Sequence, residues 1–187
     1  MSTLYGEYSV YFLTIINIPL TLAGAVPTSM IPEVSALYAQ HRRKAARRKI
    51  DEATQLSMFI SIPAAVGLAV LAYPITRLLF PNTNGTAGTL LLIGAVTIIF
   101  NTNSNVSNGV LQGIGKANLP MWNAAIALVI NVGLLVALLQ LTSLGIYAVL
   151  VATIVYSIVI CILNDISMKK YIHYKNPWGT VYLCPLL

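Results

Sequence analysis

The chain has 187 residues, of which 57% are hydrophobic and only 9% are charged, and its formal net charge is +6. A soluble globular domain carries about 25% charged residues, and a chain of this length could not hide so much apolar surface in one core. The composition therefore excludes a soluble enzyme or nucleic-acid-binding domain, and it predicts an all-α, polytopic transmembrane helix bundle.

Five apolar segments are long enough to cross the hydrocarbon of a bilayer, which takes about 20 residues of helix. The first contains three prolines, which remove backbone donors, so we expect this span to bend. Aromatic residues in the amphipathic tail over residues 167–187 favour the cytoplasmic membrane interface. The expected spans are residues 10–36, 55–80, 88–111, 120–141 and 145–166.

Polar side chains follow one face of the first span. Their spacing is close to a helical repeat, so they could line a hydrophilic cavity. Threonine in a membrane helix also bonds its own backbone near prolines, and this second interpretation is slightly favoured. The stripe consists of Thr14, Asn17, Thr21 and Thr28.

A cationic segment separates the first two spans, and residues 41–49 hold six of the eleven Lys and Arg residues. Short loops rich in Lys and Arg stay on the cytoplasmic side, which places the N-terminus outside and the cations beside lipid headgroups. Glu33, just before this loop, could pair with it or serve as a coupling carboxylate. The six cations are Arg42, Arg43, Lys44, Arg47, Arg48 and Lys49.

The remaining loops agree with this orientation, because Lys116 and the lysines of the tail then also lie inside. Arg77, near the outer end of the second span, is the exception and can snorkel to the headgroups. An odd number of spans with an outside N-terminus predicts a part of a longer protein. A complete small protein with a short translocated N-terminus is the alternative.

The third span is the most polar, with five side chains that lie on one stripe of a helix. Such groups can line a hydrophilic path and bond sugar or phosphate groups, or they can join neighbouring helices, and both interpretations stay open. Gly109 and Gly113, on a flank of the stripe, predict the close approach of another helix. The stripe consists of Asn101, Ser104, Asn105, Asn108 and Gln112.

The last two spans carry fewer polar groups. Asn123, Ala127 and Asn131 are spaced i, i+4, i+8, which favours helix packing over substrate contact. Asp165 ends the fifth span, and no acidic residue lies deep in a span. The sequence has no phosphate-binding loop, nucleophile elbow or metal-ligand spacing, so we expect no enzyme activity, metal or cofactor.

Several short stretches, taken in order, match a known family pattern. They are residues 29–35 (SMIPEVS), 62–68 (IPAAVGL), 71–75 (LAYPI), 79–80 (LF) and 110–116 (VLQGIGK), with Pro120. Together they resemble the multidrug/oligosaccharidyl-lipid/polysaccharide flippase superfamily, and above all its stage V sporulation protein B and MurJ-type branch. The resemblance implies a two-bundle transporter of the MATE/MurJ-like type, with this chain as part of the second bundle.

The resemblance also implies a function in the bacterial cytoplasmic membrane, namely the flipping of undecaprenyl-linked saccharides such as lipid II or related wall, spore-cortex and polysaccharide precursors. The implied partners are membrane lipids, a lipid-linked oligosaccharide and the first helix bundle of the same protein, but no nucleic acid. Two alternatives remain: a multidrug/cation antiporter of the same superfamily, and a non-transporting assembly factor in sporulation or wall synthesis.

Overall fold

The computed structural model describes residues 13–79, 86–141 and 146–172, and every element within these ranges is an α-helix. The helices are α1 (Leu13–Ala39), α2 (Arg43–Val70), α3 (Ala72–Leu79), α4 (Thr86–Gly94), α5 (Val96–Gly113), α6 (Asn118–Leu141) and α7 (Ile146–Ile172).

Four of the described helices, α1, α2, α6 and α7, are long and apolar enough to cross a membrane. The pair α4 and α5 makes a fifth crossing if it is one span, bent by 42° at its break. The expected all-α polytopic bundle of about five spans is therefore confirmed. From residue 146 on, the fifth expected span lies within α7, which continues to Ile172 and so includes the start of the expected tail; the rest of that tail lies outside the described residues.

The cationic segment is not the loop that we expected over residues 41–49. Helix α2 already begins at Arg43, so most of the cations lie on its first two turns. Arg, Lys and Ala all have high helix propensity. Glu52 also forms ion pairs with Arg48 at 3.5 Å and with Lys49 at 3.1 Å, within the same helix. These local interactions favour a helix, and they shorten the connection to residues 40–42.

The second expected span is broken at Leu71, between α2 and α3. Pro74 favours the break, because it has no N–H to donate to the carbonyl group of residue 70 and its ring crowds that carbonyl. At the start of α3 a proline is tolerated, since the first N–H groups of a helix have no partner within it. By contrast, α1 runs without a break through Pro19, Pro27 and Pro32.

Helix α5 is central to the bundle, because it packs against α1, α2 and α7. At the end near the cationic segment, Val106, Val110 and Leu111 of α5 join Val34 and Met168 in a buried cluster. A second cluster, which includes Ile98 of α5, lies toward the other end. Helix α6 packs mainly on α7 and exposes many large apolar side chains, as expected for a helix that faces lipid.

Helices α5 and α1 end in the same type of turn. After α5, Gly115 has a φ of 77°, its N–H bonds to the Gln112 carbonyl, and the Lys116 N–H bonds to the Leu111 carbonyl. This is a Schellman motif, which favours glycine at the left-handed position. After α1 the same position is occupied by His41, with a φ of 58°.

Candidate functional site

A cleft of about 480 Å³ lies between α1 and α5. Two glycines of α5 allow this close approach, since a methyl group on Gly109 would lie 2.8 Å from Ile31 Cδ1 and one on Gly113 would lie 3.1 Å from Ile31 Cγ2. The predicted close contact at these glycines is confirmed. The cleft is lined by Leu20, Thr21, Gly24, Pro27, Thr28, Ile31, Asn105, Asn108, Gly109 and Gln112.

The α1 wall of the cleft presents threonine hydroxyl groups whose hydrogens are already used. Thr21 donates to the Ile18 carbonyl and Thr28 to the Gly24 carbonyl, each at 2.8 Å. The prediction that threonines in this span bond their own backbone is therefore confirmed for Thr21 and Thr28. Each hydroxyl oxygen keeps its capacity to accept, so this wall offers acceptors to a ligand.

The α5 wall presents three amides, Asn105, Asn108 and Gln112. Asn105 and Gln112 are exposed, whereas Asn108 is half-buried and accepts a hydrogen bond from Asn164 Nδ2 at 2.8 Å. The described lining residues carry no formal charge. Neutral amide and hydroxyl groups beside apolar side chains of α1 make a surface for a neutral polar ligand that also has apolar faces.

Behind the cleft, a network of amides and hydroxyls joins α5, α6 and α7. Asn164, which is fully buried, donates to Ser104 Oγ and Asn108 Oδ1, each at 2.8 Å. Asn123 donates to Asn164 Oδ1 and Ser167 Oγ, each at 2.9 Å. Interhelical hydrogen bonds of this kind hold membrane helices in register. Asn123 therefore has the packing role expected for it.

A second buried polar contact joins α5 to α7. Asn103 Nδ2 donates to Cys161 Sγ at 3.1 Å and to Asp165 Oδ1 at 3.3 Å. Asp165 is 7% exposed, so its carboxylate lies inside the bundle rather than at a wet span end. This buried acidic group was not predicted from the sequence, because the helix that carries it extends beyond the expected span.

Some residues of the polar stripe of α5 line a hydrophilic cleft and others join neighbouring helices, so each of the two interpretations that the sequence left open applies to part of the stripe. Asn105, Asn108 and Gln112 line the cleft, whereas Ser104 is buried against α7. Asn101 is half-buried and lies outside the cleft lining.

The stripe of α1 is divided as well. Thr21 and Thr28 line the cleft, whereas Asn17 is exposed one turn before it. Thr14 falls on α1, but its side chain lies outside the described part of the chain.

Cations from separate segments meet at one end of the bundle. Arg47 of α2 donates to the Ile172 carbonyl of α7 through Nε at 3.2 Å and a terminal nitrogen at 2.9 Å. Lys116 and Lys170 lie 5.7 and 5.6 Å from the centre of the Tyr171 ring. Of the remaining cluster, Arg42, Arg43, Lys44 and Arg48 are exposed.

Asn103, Asn164 and Asp165 form buried interhelical contacts that were not predicted from the sequence, and Asn164 among them bonds to Asn108 of the cleft lining. A signal was available for two of them, because Asn164 and Asp165 interrupt an otherwise apolar helix about two turns before Ile172. In the described ranges, no group of three or more His, Cys, Asp and Glu side chains is arranged to hold a metal ion.

The long apolar helices and the polar cleft between two of them define a multi-pass helical membrane protein. The family model for the lipid II flippase MurJ matches residues 6–183, so the chain belongs to this family. No solved structure gave a significant match to the chain.

Curated relatives come from several bacteria. The chain is 29% identical to the lipid II flippase MurJ of Bacillus subtilis over 139 residues, which are 71% of this chain and 25% of that protein. It is 21% identical to stage V sporulation protein B of Bacillus subtilis over 166 residues, 89% of this chain and 32% of that protein.

A third relative is the probable lipid II flippase MurJ of Bdellovibrio bacteriovorus, 23% identical over 164 residues, which are 84% of this chain and 31% of that protein. The chain therefore spans between a quarter and a third of the length of these curated relatives.

Proposed function

We propose that this chain forms one wall of a transporter that flips undecaprenyl-linked saccharides, such as lipid II, across the bacterial cytoplasmic membrane. The observation that carries the proposal is the uncharged cleft of amide and hydroxyl groups between α1 and α5. Membership of the MurJ family supports the class of substrate.

The chemistry of the cleft suits a saccharide. Sugar hydroxyl groups both donate and accept, so they can exchange water for the amides of Asn105 and Gln112 and the hydroxyl oxygen atoms of Thr21 and Thr28. Each exchange avoids the cost of an unsatisfied polar group at membrane depth. The isoprenoid tail of the ligand would stay in the surrounding lipid, and no catalysis is proposed.

The proposed orientation places the cationic end of the bundle in the cytoplasm and the N-terminus outside. Lys116, Lys170 and Arg47 support it, because they come from three separate segments and contact the same end of α7. Loops rich in Lys and Arg stay inside. The saccharide would then enter from the cytoplasmic side, where Gln112 lies close to this end of α5.

Binding of lipid II with a fluorescent label on its peptide, measured with the chain in lipid nanodiscs, tests the proposal. Asn105→Leu and Thr28→Val each remove one polar group from the cleft, and each should weaken binding roughly tenfold, the loss expected for one hydrogen bond. Asn101→Leu is the matched control, since Asn101 is on the same helix outside the cleft lining.

Two results would contradict the proposal. One is that the wild-type chain does not bind this probe above the level of empty nanodiscs. The other is that Asn101→Leu weakens binding as much as Asn105→Leu does. Transport itself would be measured with the same lipid in proteoliposomes that hold a two-bundle transporter including this chain, as its loss from the inner leaflet.

A further inference from the structure

The amide side chains behind the cleft form a chain of hydrogen bonds in which each amide donates to the next one toward the cleft. Asn123 Nδ2 donates to Asn164 Oδ1 at 2.9 Å, and Asn164 Nδ2 donates to Asn108 Oδ1 at 2.8 Å. A carboxamide accepts through its oxygen and donates through its nitrogen, so each amide fixes the orientation of the next. Of these three described side chains, Asn108 is the one that lines the cleft.

The burial of Asn164 makes this orientation hard to reverse. Its side chain is fully buried, and its Nδ2 also donates to Ser104 Oγ at 2.8 Å. Turning the amide over would set its N–H groups against those of Asn123 and its oxygen against Asn108 Oδ1. Buried polar groups that lose their partners are costly, so Asn164 has one favoured orientation.

We propose that Asn164 is a positioning residue for the cleft, and that it holds Asn108 with Oδ1 turned into the bundle and Nδ2 free to donate to the ligand. This inference rests on the proposed function, because it assigns a hydrogen-bonding pattern to the same cleft. Thr21 and Thr28 have used their hydroxyl hydrogens on the backbone. The cleft therefore presents a fixed donor on α5 opposite acceptors on α1.

A ligand that matches this pattern places an acceptor oxygen against Asn108 and donor groups toward α1. In a saccharide, the acceptor is a carbonyl oxygen of an acetamido group or a ring hydroxyl oxygen, and the donors are N–H or O–H groups. Asn164 does not line the cleft, but through Asn108 it thus determines that the ligand must present an acceptor at this point of the α5 wall.

Asn164→Leu tests the inference with a side chain of similar branched shape and no polar atoms. Leucine at this position gives Asn108 Oδ1 no donor, so the Asn108 amide turns its Oδ1 toward the cleft and no longer holds Nδ2 there as a fixed donor. With fluorescently labelled lipid II and the whole chain in nanodiscs, we expect binding to weaken roughly tenfold, as for one lost hydrogen bond.

Asn131→Leu is the matched control. Asn131 Nδ2 donates to the Ala152 carbonyl at 2.8 Å, so it also joins α6 to α7, but it lies outside the cleft lining. This substitution should lower the thermal unfolding temperature and leave the affinity for the probe unchanged. A merely structural role of Asn164 would make the two variants alike in both measurements.

A second measurement does not depend on the folding of any Asn164 variant. In wild-type chain labelled with ¹⁵N-asparagine, the side-chain NH₂ resonances of Asn108, assigned through Asn108→Asp, should shift when the probe is added. The buried NH₂ group of Asn164 should keep its resonances.

The possible outcomes separate the two proposals. If wild-type chain does not bind the probe, the proposed function is wrong and the inference falls with it. If wild-type chain binds and Asn164→Leu binds equally well, or if Asn131→Leu weakens binding as much, the positioning role is wrong while the proposed function stands. An Asn108 NH₂ group that does not respond to bound probe also contradicts it.

Discussion

The Glu33 carboxylate of α1 lies 3.3 Å from the ammonium group of Lys49 on α2. Lys49 also lies 3.1 Å from Glu52 one turn further along its own helix, so it joins two carboxylates from separate helices. The pairing of Glu33 with the cationic segment, one of the two roles suggested by the sequence, is therefore present in the structure. The role of coupling carboxylate stays a prediction.

Glu33→Gln distinguishes these two roles. The side chain is 52% exposed for Glu33 and 33% exposed for Lys49. Because ion pairs with this much exposure contribute little to stability, we expect a small decrease in unfolding temperature that shrinks further as salt is added. In proteoliposomes that hold a two-bundle transporter including this chain, lipid II flipping should stay near wild type. A large loss of flipping with normal folding would instead support the coupling role.

Gly109→Ala tests the close packing of α1 on α5. The new methyl group would lie 2.8 Å from Ile31 Cδ1. Overpacking of this kind should lower the free energy of unfolding by about 1–2 kcal/mol. Ile31→Val removes the Cδ1 atom, so it should restore part of the loss in the double variant, as measured by thermal unfolding in detergent. Gly133→Ala is the control, since a methyl group there has no atom within 4 Å. It should not destabilise α6, because alanine favours a helix more than glycine does.

The number of spans could be predicted from the sequence because length and apolar composition are local properties of each helix. The break at Leu71 also had a local signal, since Pro74 removes a backbone donor and disfavours a continuous helix. The helical state of the cationic segment was missed for a different reason. A charge pattern indicates the side of the membrane, but the helix propensities of Arg, Lys and Ala decide the secondary structure.

The division of the polar stripe could not be predicted from α5 alone. Ser104 and Asn105 are adjacent in sequence and differ by about 100° around the helix. Helix α7 therefore contacts one of them while the other faces α1. Which residue packs and which lines the cleft depends on where the neighbouring helices lie. Around the helix, Asn108 lies between Ser104 and Asn105, so it both bonds to Asn164 of α7 and lines the cleft beside α1.

Arg47 and Arg48 are adjacent cations, but we expect their substitution by glutamine to change the free energy of unfolding by different amounts. Arg47 makes two hydrogen bonds to the Ile172 carbonyl, at the end of α7. Since a positive charge also suits a helix C-terminus, Arg47→Gln should lower the free energy of unfolding by roughly 1–2 kcal/mol. The Arg48 side chain is 84% exposed. Arg48→Gln should therefore change little. Equal effects in thermal unfolding would contradict the assigned contact.

Gly115 and His41 occupy the same position of two Schellman motifs, and substitutions there should have opposite signs. Gly115→Ala places a side chain in the left-handed region and should cost about 1–2 kcal/mol. His41→Gly removes a side chain from that region and should stabilise by up to about 1 kcal/mol. Thermal unfolding of the two variants shows whether each one is destabilised or stabilised relative to wild type. A destabilised His41→Gly variant would indicate that the His41 side chain makes a contact that outweighs its backbone strain.

The proposed orientation predicts which positions a membrane-impermeant maleimide reaches. Single cysteines at Arg43, Lys116 and Asn84 would be made in a chain whose Cys161 and Cys184 are replaced by serine. In intact cells Asn84→Cys should react, because placing the cationic segment inside puts the uncharged segment over residues 81–86, between the second and third expected spans, on the outside. Arg43→Cys and Lys116→Cys should react only after permeabilisation, since moving the cationic segment across the hydrocarbon is costly. Labelling of Arg43→Cys in intact cells would reverse the orientation, and the proposed cytoplasmic entry of the saccharide beside Gln112 would be wrong.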